Sequence, residues 1–219
     1  GYSLPHPHDS IGSANPPHPL FNIQHLSKGH NELRINNIDG YVHNEWTFNT
    51  NNADVLTLSL GLRANYWGYN NEVNISPRAG LAYKPSWNSD MLFRLSGGVY
   101  VQPPFYRELR MFDGSLVSPE NASTQKSYQA VFTHEYNFTA WGRPFVLTSE
   151  LYYKYLKDII PYEVDNIRIR YFADQKATGY AAGLDVRING EFVKGIESWA
   201  SLSIMKSAEN IKYYLSSNG

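Results

Sequence analysis

A short segment rich in arginine and aromatic residues is the first part of the sequence whose residue types suit ligand binding. An arginine can pair with a carboxylate or a phosphate, and a tyrosine ring can stack on a planar group. The same segment can instead be a plain loop in which arginine and glutamate pair with each other, and the residue types favour this alternative. The candidates for ligand binding are Tyr100, Gln102, Tyr106, Arg107, Glu108 and Arg110.

Five histidines and five prolines lie within the first 30 residues. Imidazole nitrogens are common ligands of zinc, copper and iron. Only His6 and His8 are close neighbours, however, and no motif such as HExxH is present. We therefore predict a proline-rich loop without a metal site, and no cofactor. No nucleophile–base arrangement, carboxylate pair at an evident cleft or phosphate-binding glycine loop is found, so we predict that the protein is not an enzyme.

Apolar and polar residues alternate over long stretches from about residue 36 onward. Leu56, Leu58, Leu60 and Leu62 alternate with Thr57, Ser59, Gly61 and Arg63. A period of two predicts a strand with one apolar side and one polar side. Similar runs predict eight strands, at residues 40–50, 56–66, 74–84, 91–102, 127–138, 145–156, 177–189 and 196–206. Residues 149–160 also have helical spacing, but the period of two continues through them and favours a strand.

The predicted strands are longer than those of most soluble proteins. A strand of about 11 residues, tilted by about 40°, rises about 28 Å, which spans the apolar band of an outer-membrane barrel. Short turns are predicted at 51–54, 85–90, 139–143 and 190–195, and longer loops at 67–73, 103–126 and 157–176, where 160–171 is expected to extend a hairpin. Alternation of short and long connections is typical of membrane barrels, with the short turns in the periplasm.

Each strand is expected to have a lipid side and a water-filled side. We predict that Leu58, Leu60, Phe93, Val99, Phe132 and Leu184 face lipid. Residues of the opposite side should line the water-filled lumen, since a wide barrel has a polar interior. This second set comprises Arg63, Arg78, Lys84, Arg94, Glu135, Glu150, Lys154, Asp185 and Arg187. An interfacial aromatic girdle is predicted from Trp46, Tyr66, Trp67, Trp87, Trp141, Tyr152, Tyr153 and Trp199.

The composition agrees with a protein that crosses the membrane with β-strands, and it gives no reason to expect a nucleic-acid partner. Aromatic residues make up 15% of the chain, and the net charge is −1. Phosphate binding would require a basic excess. Cysteine is absent, so no disulfides are expected. Residues 1–15 have no basic and apolar leader, which favours an internal segment of a longer precursor.

Several segments together resemble the barrel of TonB-dependent receptors, especially those of Bacteroidetes-type bacteria. The resemblance covers most of residues 35–207. It rests on SPR at 76–78 with residues 80–85, RLSGGVYVQPPFYRELR at 94–110, SELYYK at 149–154 with IPY at 160–162, GYAAGLDVR at 179–187 and ESWASLS at 197–203.

The resemblance implies a 22-stranded outer-membrane barrel closed by an N-terminal plug domain. The plug would then contact the lumen-facing residues, although any wide barrel has a polar interior whether or not it holds a plug. Such receptors take up siderophores, haem, cobalamin or oligosaccharides, with energy from the TonB–ExbB–ExbD complex. The expected fold is all-β: an antiparallel transmembrane segment of about eight meander strands, open as a fragment of the larger barrel. Residues 1–35 are expected to form an extracellular loop, 36–207 the partial barrel, and 208–219 the start of another loop. The alternatives are a passive or structural outer-membrane barrel and a soluble glycan-binding β-sandwich.

Overall fold

The computed structural model describes residues 32–50, 53–111, 113–165 and 168–211. Every regular element within these ranges is a β-strand, as the period of two predicts. The described residues contain no helix that is long and apolar enough to cross a membrane. The prediction of an all-β fold is confirmed.

Eight long strands form one antiparallel sheet. They are β1 (Asn37–Asn49), β2 (Val55–Trp67), β3 (Glu72–Lys84), β4 (Asp90–Gln102), β5 (Gln125–Ala140), β6 (Arg143–Ile159), β9 (Ala177–Val193) and β10 (Ile196–Ile211). Two short strands, β7 (Tyr162–Asp165) and β8 (Arg168–Tyr171), pair with each other between β6 and β9. The expected hairpin at 160–171 is thus confirmed, as is a strand over most of 149–160.

The sheet is a meander in which each strand pairs with its neighbour in the order β1-β2-β3-β4-β5-β6-β9-β10. Among the described residues, β1 and β10 each have one unpaired edge. The long strands have from 13 residues, as in β1, to 17, as in β6, which is more than the period alone predicted. At about 3.3 Å per residue and a tilt near 40°, a 13-residue strand rises about 33 Å. β10 runs to Ile211, so residues 208–211 belong to the sheet and not to the loop expected there.

Most connections at one end of the sheet are short. Trp141 and Gly142 join β5 to β6, and both have positive φ, at 53° and 70°, as a two-residue type I′ hairpin requires. β2 and β3 are joined at the other end by residues 68–71 alone, where Asn71 has a φ of 58°. Asparagine tolerates this left-handed conformation. A loop lies within 67–73 as predicted, but it is only four residues long, because the strands continue to Trp67 and resume at Glu72.

Asp54 ties two of the short turns together. Its carboxylate accepts a hydrogen bond from the Ser86 backbone N–H at 2.6 Å and one from the Tyr83 hydroxyl at 3.2 Å. The bond from the Ser86 backbone N–H stabilises the ionised form, so it lowers the pKa of Asp54. The turn after β1 and the turn after β3 are consequently held side by side.

The pairing of β3 with β4 is incomplete. It covers only the six pairs from Arg78↔Gly98 to Tyr83↔Phe93, whereas β4 and β5 pair along the whole of β4. The next pair would join Pro77 to Val99, and Pro77 has no N–H to donate. The hydrogen-bonded ladder between β3 and β4 therefore ends at Arg78 and Gly98, and we call the unpaired stretch beyond it the seam.

The apolar side of the main sheet is not covered by a second sheet in the described part of the chain. Leu60 is 43% exposed there, and other large apolar side chains on that side are comparably open, among them Leu95, Leu151 and Ile204. A β-sandwich would bury such residues between its two sheets. The alternative of a soluble sandwich is therefore wrong.

Candidate functional site

All the charged residues predicted for the lumen lie on one side of the sheet, which we call the polar face. Directly opposite residues of an antiparallel pair share a face, and the register connects these positions strand by strand. On β2, β3 and β4 they are Arg63, Arg78, Lys84 and Arg94, and on β5, β6 and β9 they are Glu135, Glu150, Lys154, Asp185 and Arg187. Tyr100 and Gln102 lie on the same face.

Several of these charges are paired across neighbouring strands. Arg63 lies 2.7 Å from the Asp39 carboxylate, and Arg94 lies 3.6 Å from that of Glu135. Each of these side chains is about one-third to one-half exposed, so each pair contributes about 0–1 kcal/mol. The guanidinium of Arg78 lies 4.4 Å from the centre of the Tyr100 ring. The contacts on the polar face are thus individually weak.

Glu150 and Asp185 form an unbalanced pair on the polar face. They are directly opposite each other on β6 and β9, and like charges in this arrangement destabilise a sheet. No salt bridge reaches either carboxylate among the described residues. The nearby cations are turned towards aromatic rings, Lys154 at 5.7 Å from the ring of Tyr152 and Arg187 at 5.3 Å from that of Trp199.

The other side, the apolar face, is banded along the strand direction. Its middle carries mostly leucine, valine and alanine, and the polar exceptions include Asn44 on β1 and Lys206 on β10. Tyrosines lie towards one end, namely Tyr66, Tyr128, Tyr153, Tyr155 and Tyr180. Tryptophan, phenylalanine and tyrosine lie towards the short turns, namely Trp46, Phe48, Tyr83, Tyr136, Phe138 and Phe145. Amphipathic rings at both ends of an apolar band are typical of a surface that crosses a bilayer.

One aromatic ring is fully enclosed on the apolar face. Phe145 is 2% exposed, and its ring lies 5.6 Å from that of Phe138 and 5.2 Å from that of Phe192. The ring covers Gly190, where an added Cβ would come within 2.3 Å of Phe145 Cδ1. Gly190 therefore provides the space in which Phe145 packs, and the cluster links the turns after β5 and β9.

The described part of the connection between β4 and β5, residues 103–111 and 113–124, forms a cap that packs around a small apolar core. Trp67 at the end of β2 is 1% exposed, and it packs with Leu109 and Val117. Ala122 and Ala173 complete the buried cluster. A long connection with a packed core has a defined shape and is typical of functional loops.

A polar latch joins the cap to β3. The Thr124 hydroxyl donates to the Glu72 carboxylate at 2.9 Å, and the Thr124 backbone N–H donates to it at 3.2 Å. The ammonium of Lys126 lies 3.3 Å from the same carboxylate. Asn70 donates to the carbonyl oxygen of Ala122 at 3.0 Å. Thr124 is fully buried, so the latch replaces water and fixes the end of the cap.

Comparison with known proteins decides the family. The family model described as "TonB dependent receptor-like, beta-barrel" matches residues 2–217. The chain belongs to this family. No curated protein and no solved structure matches it. Receptors of this family are transport proteins of the outer membrane and are not enzymes. The predicted resemblance and the predicted class of barrel segment are confirmed, and the unpaired edges of β1 and β10 agree with a part of such a barrel.

The ligand candidates of the receptor segment do not form one cluster. Tyr106 and Arg107 are exposed on the cap, next to the exposed ring of Phe105. The Glu108 carboxylate instead accepts bonds from the Phe105 backbone N–H at 2.9 Å and from Gln125 at 3.0 Å. It therefore shapes the cap from within. Arg110 is partly buried and pairs through its backbone with Leu116.

Three residues of the predicted girdle of the receptor lie elsewhere. Trp67 is in the core beneath the cap, while Tyr152 and Trp199 are on the polar face. The alternation alone indicated their faces, since Trp67 has the same parity on β2 as Arg63. The girdle prediction instead gave more weight to the aromatic residue type. The functions of Glu72 and Thr124 gave no sequence signal, since the latch joins residues about fifty positions apart.

The N-terminal histidines, His6, His8, His18, His25 and His30, lie outside the described residues of the receptor segment. Within the described ranges, no group of three or more histidine, aspartate or glutamate side chains is arranged to hold a metal ion. The expectation that no metal is bound stays a prediction.

Proposed function

We propose that this chain is part of an energised receptor that takes up a scarce, bulky ligand across the bacterial outer membrane. The family match over residues 2–217 carries the proposal, and the two-faced sheet supports it. The energy would come from the TonB–ExbB–ExbD complex, acting on a plug domain encoded elsewhere in the receptor. Siderophores, haem, cobalamin and oligosaccharides are the ligand classes that fit.

In this proposal the two faces of the sheet have different surroundings. The apolar face contacts outer-membrane lipid, and its aromatic ends lie at the two interfaces. The polar face lines the lumen and contacts the plug. Residues 36–207 form the wall, while 1–35 and the segment after β10 lie outside the cell. The short turns lie in the periplasm, so the cap faces the medium.

Glu150 and Asp185 are the strongest candidates for contact with the plug. Their mutual repulsion would be relieved by a basic side chain of the plug, because a charge-assisted hydrogen bond is stronger than a neutral one. The neighbouring residues Arg94, Glu135, Lys154 and Arg187 have weak or aromatic partners in the wall. Such contacts would let the plug move without a large energetic barrier.

The cap supplies the candidate site for first recognition of the ligand. Tyr106 and Arg107 lie on its surface and are free to stack on a ring or pair with an anionic group. Tyr100 and Gln102 lie just below on the polar face, where a ligand would pass. The packed core and the latch would hold these groups in place before the ligand arrives, which reduces the entropic cost of binding.

The test uses the full-length receptor in its own host. Growth is measured with a single limiting nutrient, supplied in turn as ferric siderophore, haem, cobalamin or oligosaccharide. We expect one class to support growth only when both the receptor and TonB are present. Uptake that persists after deletion of TonB would refute energised transport and indicate a passive barrel.

The site assignment is tested with variants of the cap. Tyr106→Ala and Arg107→Ala should each weaken binding of the identified ligand about tenfold, the effect of losing one charged or aromatic contact. Glu120→Ala is the matched control, since Glu120 is exposed on the same cap. Equal binding by all three variants would rule out the cap surface as the recognition site.

A further inference from the structure

The cap covers the outer end of β3 on the polar face and leaves the apolar face of the same stretch open. Asn74 and Ser76 lie on the polar face and are 4% and 5% exposed. Val73 and Ile75 alternate with them on the apolar face and are 65% and 59% exposed. The Thr124 hydroxyl oxygen of the cap lies 2.9 Å from Asn74 Oδ1. The cap is therefore folded over the polar face.

The covered area ends close to the outer ends of β3 and β4. Arg78 lies two residues beyond Ser76 on the same face of β3 and is exposed. Tyr100 and Gln102 at the outer end of β4 are also exposed on the polar face. A ligand that moves along these residues into the lumen therefore has a path that does not require the cap to move.

Three other segments at the outer end of the sheet hold the cap in this position. One apolar cluster joins the cap to the chain ahead of β1, the end of β2 and the β8–β9 connection, through Ile35, Trp67 and Ala173. Four strands separate β2 from β9, which corresponds to about 24 Å along the sheet at about 4.8 Å per strand. The Tyr69 hydroxyl also donates to the carbonyl oxygen of Val117 at 2.5 Å. Opening the cap would therefore expose the cluster and break this bond together with the latch.

We propose that the cap is a fixed cover that stays closed throughout uptake, so that the ligand enters the lumen beside the cap, along β4, and not beneath it. The proposal goes beyond the proposed function, and it rests on the assignment of the polar face to the lumen. Segments that open readily have few buried apolar contacts and many exposed backbone hydrogen bonds. The cap has the opposite character, because Leu109 and Val117 are almost completely buried and Thr124 is fully buried.

The test places a thiol beneath the cap by the substitution Ser76→Cys. The full-length receptor, with any other cysteines replaced by serine, is labelled on living cells of its own host with a maleimide that does not cross membranes. Glu120→Cys, exposed on the cap, is the matched control. We expect Ser76→Cys to react about a hundredfold more slowly than Glu120→Cys, because a buried thiol is reached only through local opening. The rate should be the same with and without TonB, and with and without siderophore, haem, cobalamin or oligosaccharide in the medium.

Three variants in the Ser76→Cys receptor show whether the cap provides the protection. Trp67→Ala removes the central ring of the cluster, and the milder change Thr124→Val removes only the hydroxyl of the latch. Each should accelerate labelling at least about tenfold. Thr148→Val, on the polar face of β6 opposite Glu135, should leave the rate unchanged. Unchanged labelling in both cap variants would overturn the assignment of the cap as the cover.

A cap that opens during uptake would give a different result. Ser76→Cys would then react faster when TonB or one of the four ligand classes is present, and this outcome would overturn the fixed cover. Equal rates for Ser76→Cys and Glu120→Cys would overturn it as well. The labelling does not measure transport. An opening cap therefore leaves energised uptake standing, and uptake without TonB leaves the fixed cover standing.

Discussion

Replacing Leu60 by arginine tests which side of the sheet contacts hydrocarbon. Leu60 is the sixth of the 13 residues of β2, so its Cα lies within about one residue rise, about 3 Å, of the strand centre. The side chain is 43% exposed on the apolar face, opposite Asn44 and Ala79. No acidic side chain is directly opposite it.

The expected loss of stability for Leu60→Arg is about 2–4 kcal/mol, the cost of arginine on the lipid side of a barrel near the bilayer midplane. Ser59→Arg is the matched control. Ser59 is on the polar face, directly opposite Glu45, so a new guanidinium there would remain hydrated and gain an acidic neighbour. We expect its effect on the free energy of unfolding to be below about 1 kcal/mol.

The assay is reversible unfolding of the full-length receptor in lipid vesicles, followed by tryptophan fluorescence against guanidinium concentration. The midpoint should fall clearly for Leu60→Arg and stay nearly constant for Ser59→Arg, with the same slope for both. Equal losses in the two variants, or a larger loss for Ser59→Arg, would refute the assignment of the faces.

Three further results are expected. Trp67→Ala should destabilise the cap by about 3–5 kcal/mol, because it removes a fully buried indole, and limited proteolysis should then cut within residues 103–124 sooner than in the unaltered receptor. Gly190→Val should cost about 1–3 kcal/mol by overpacking against Phe145, and Phe145→Ala in the same chain should recover part of the loss, as measured by guanidinium unfolding. The pKa of Asp54 should lie below 3.8, its ordinary value. Because the pKa is lower in the folded state, the ionised carboxylate contributes to the free energy of unfolding above that pH, and this contribution is lost as the pH falls. In an NMR titration the Ser86 amide resonance should shift together with the protonation of Asp54, and Asp54→Asn should abolish that shift.

Much of the fold was predictable, because the alternation of apolar and polar residues indicates both that a segment is a strand and which residues lie on each of its two faces. The positions of Arg63, Glu150 and Asp185 on one face follow from parity alone, once the register of the strands is known. The lengths of the strands were underestimated, because the polar residues at their ends carry no alternation. The short turn after β2 was also missed, since Asn71 is only one of several residues there that suit a loop.

The candidate site was less predictable, because it depends on contacts between distant segments. Trp67 resembles an interfacial residue in isolation and becomes a core residue only when the cap folds over it. Glu108 resembles a ligand-binding residue until its bonds to Phe105 and Gln125 are known. The seam beside Pro77 could be suspected from the proline, but its position opposite Val99 becomes known only from the register of β3 and β4.

The unpaired edges of β1 and β10 have a consequence for how this protein reaches its place in the membrane. Each edge presents a row of free N–H and C=O groups, and such rows recruit other chains when no proper neighbour is available. A truncated or stalled product that ends in this sheet would carry two unpaired edges next to a large exposed apolar surface. It would therefore aggregate or be degraded. Insertion should therefore succeed only as a concerted event, in which the barrel closes before the edge of β1 or β10 can pair with another polypeptide chain.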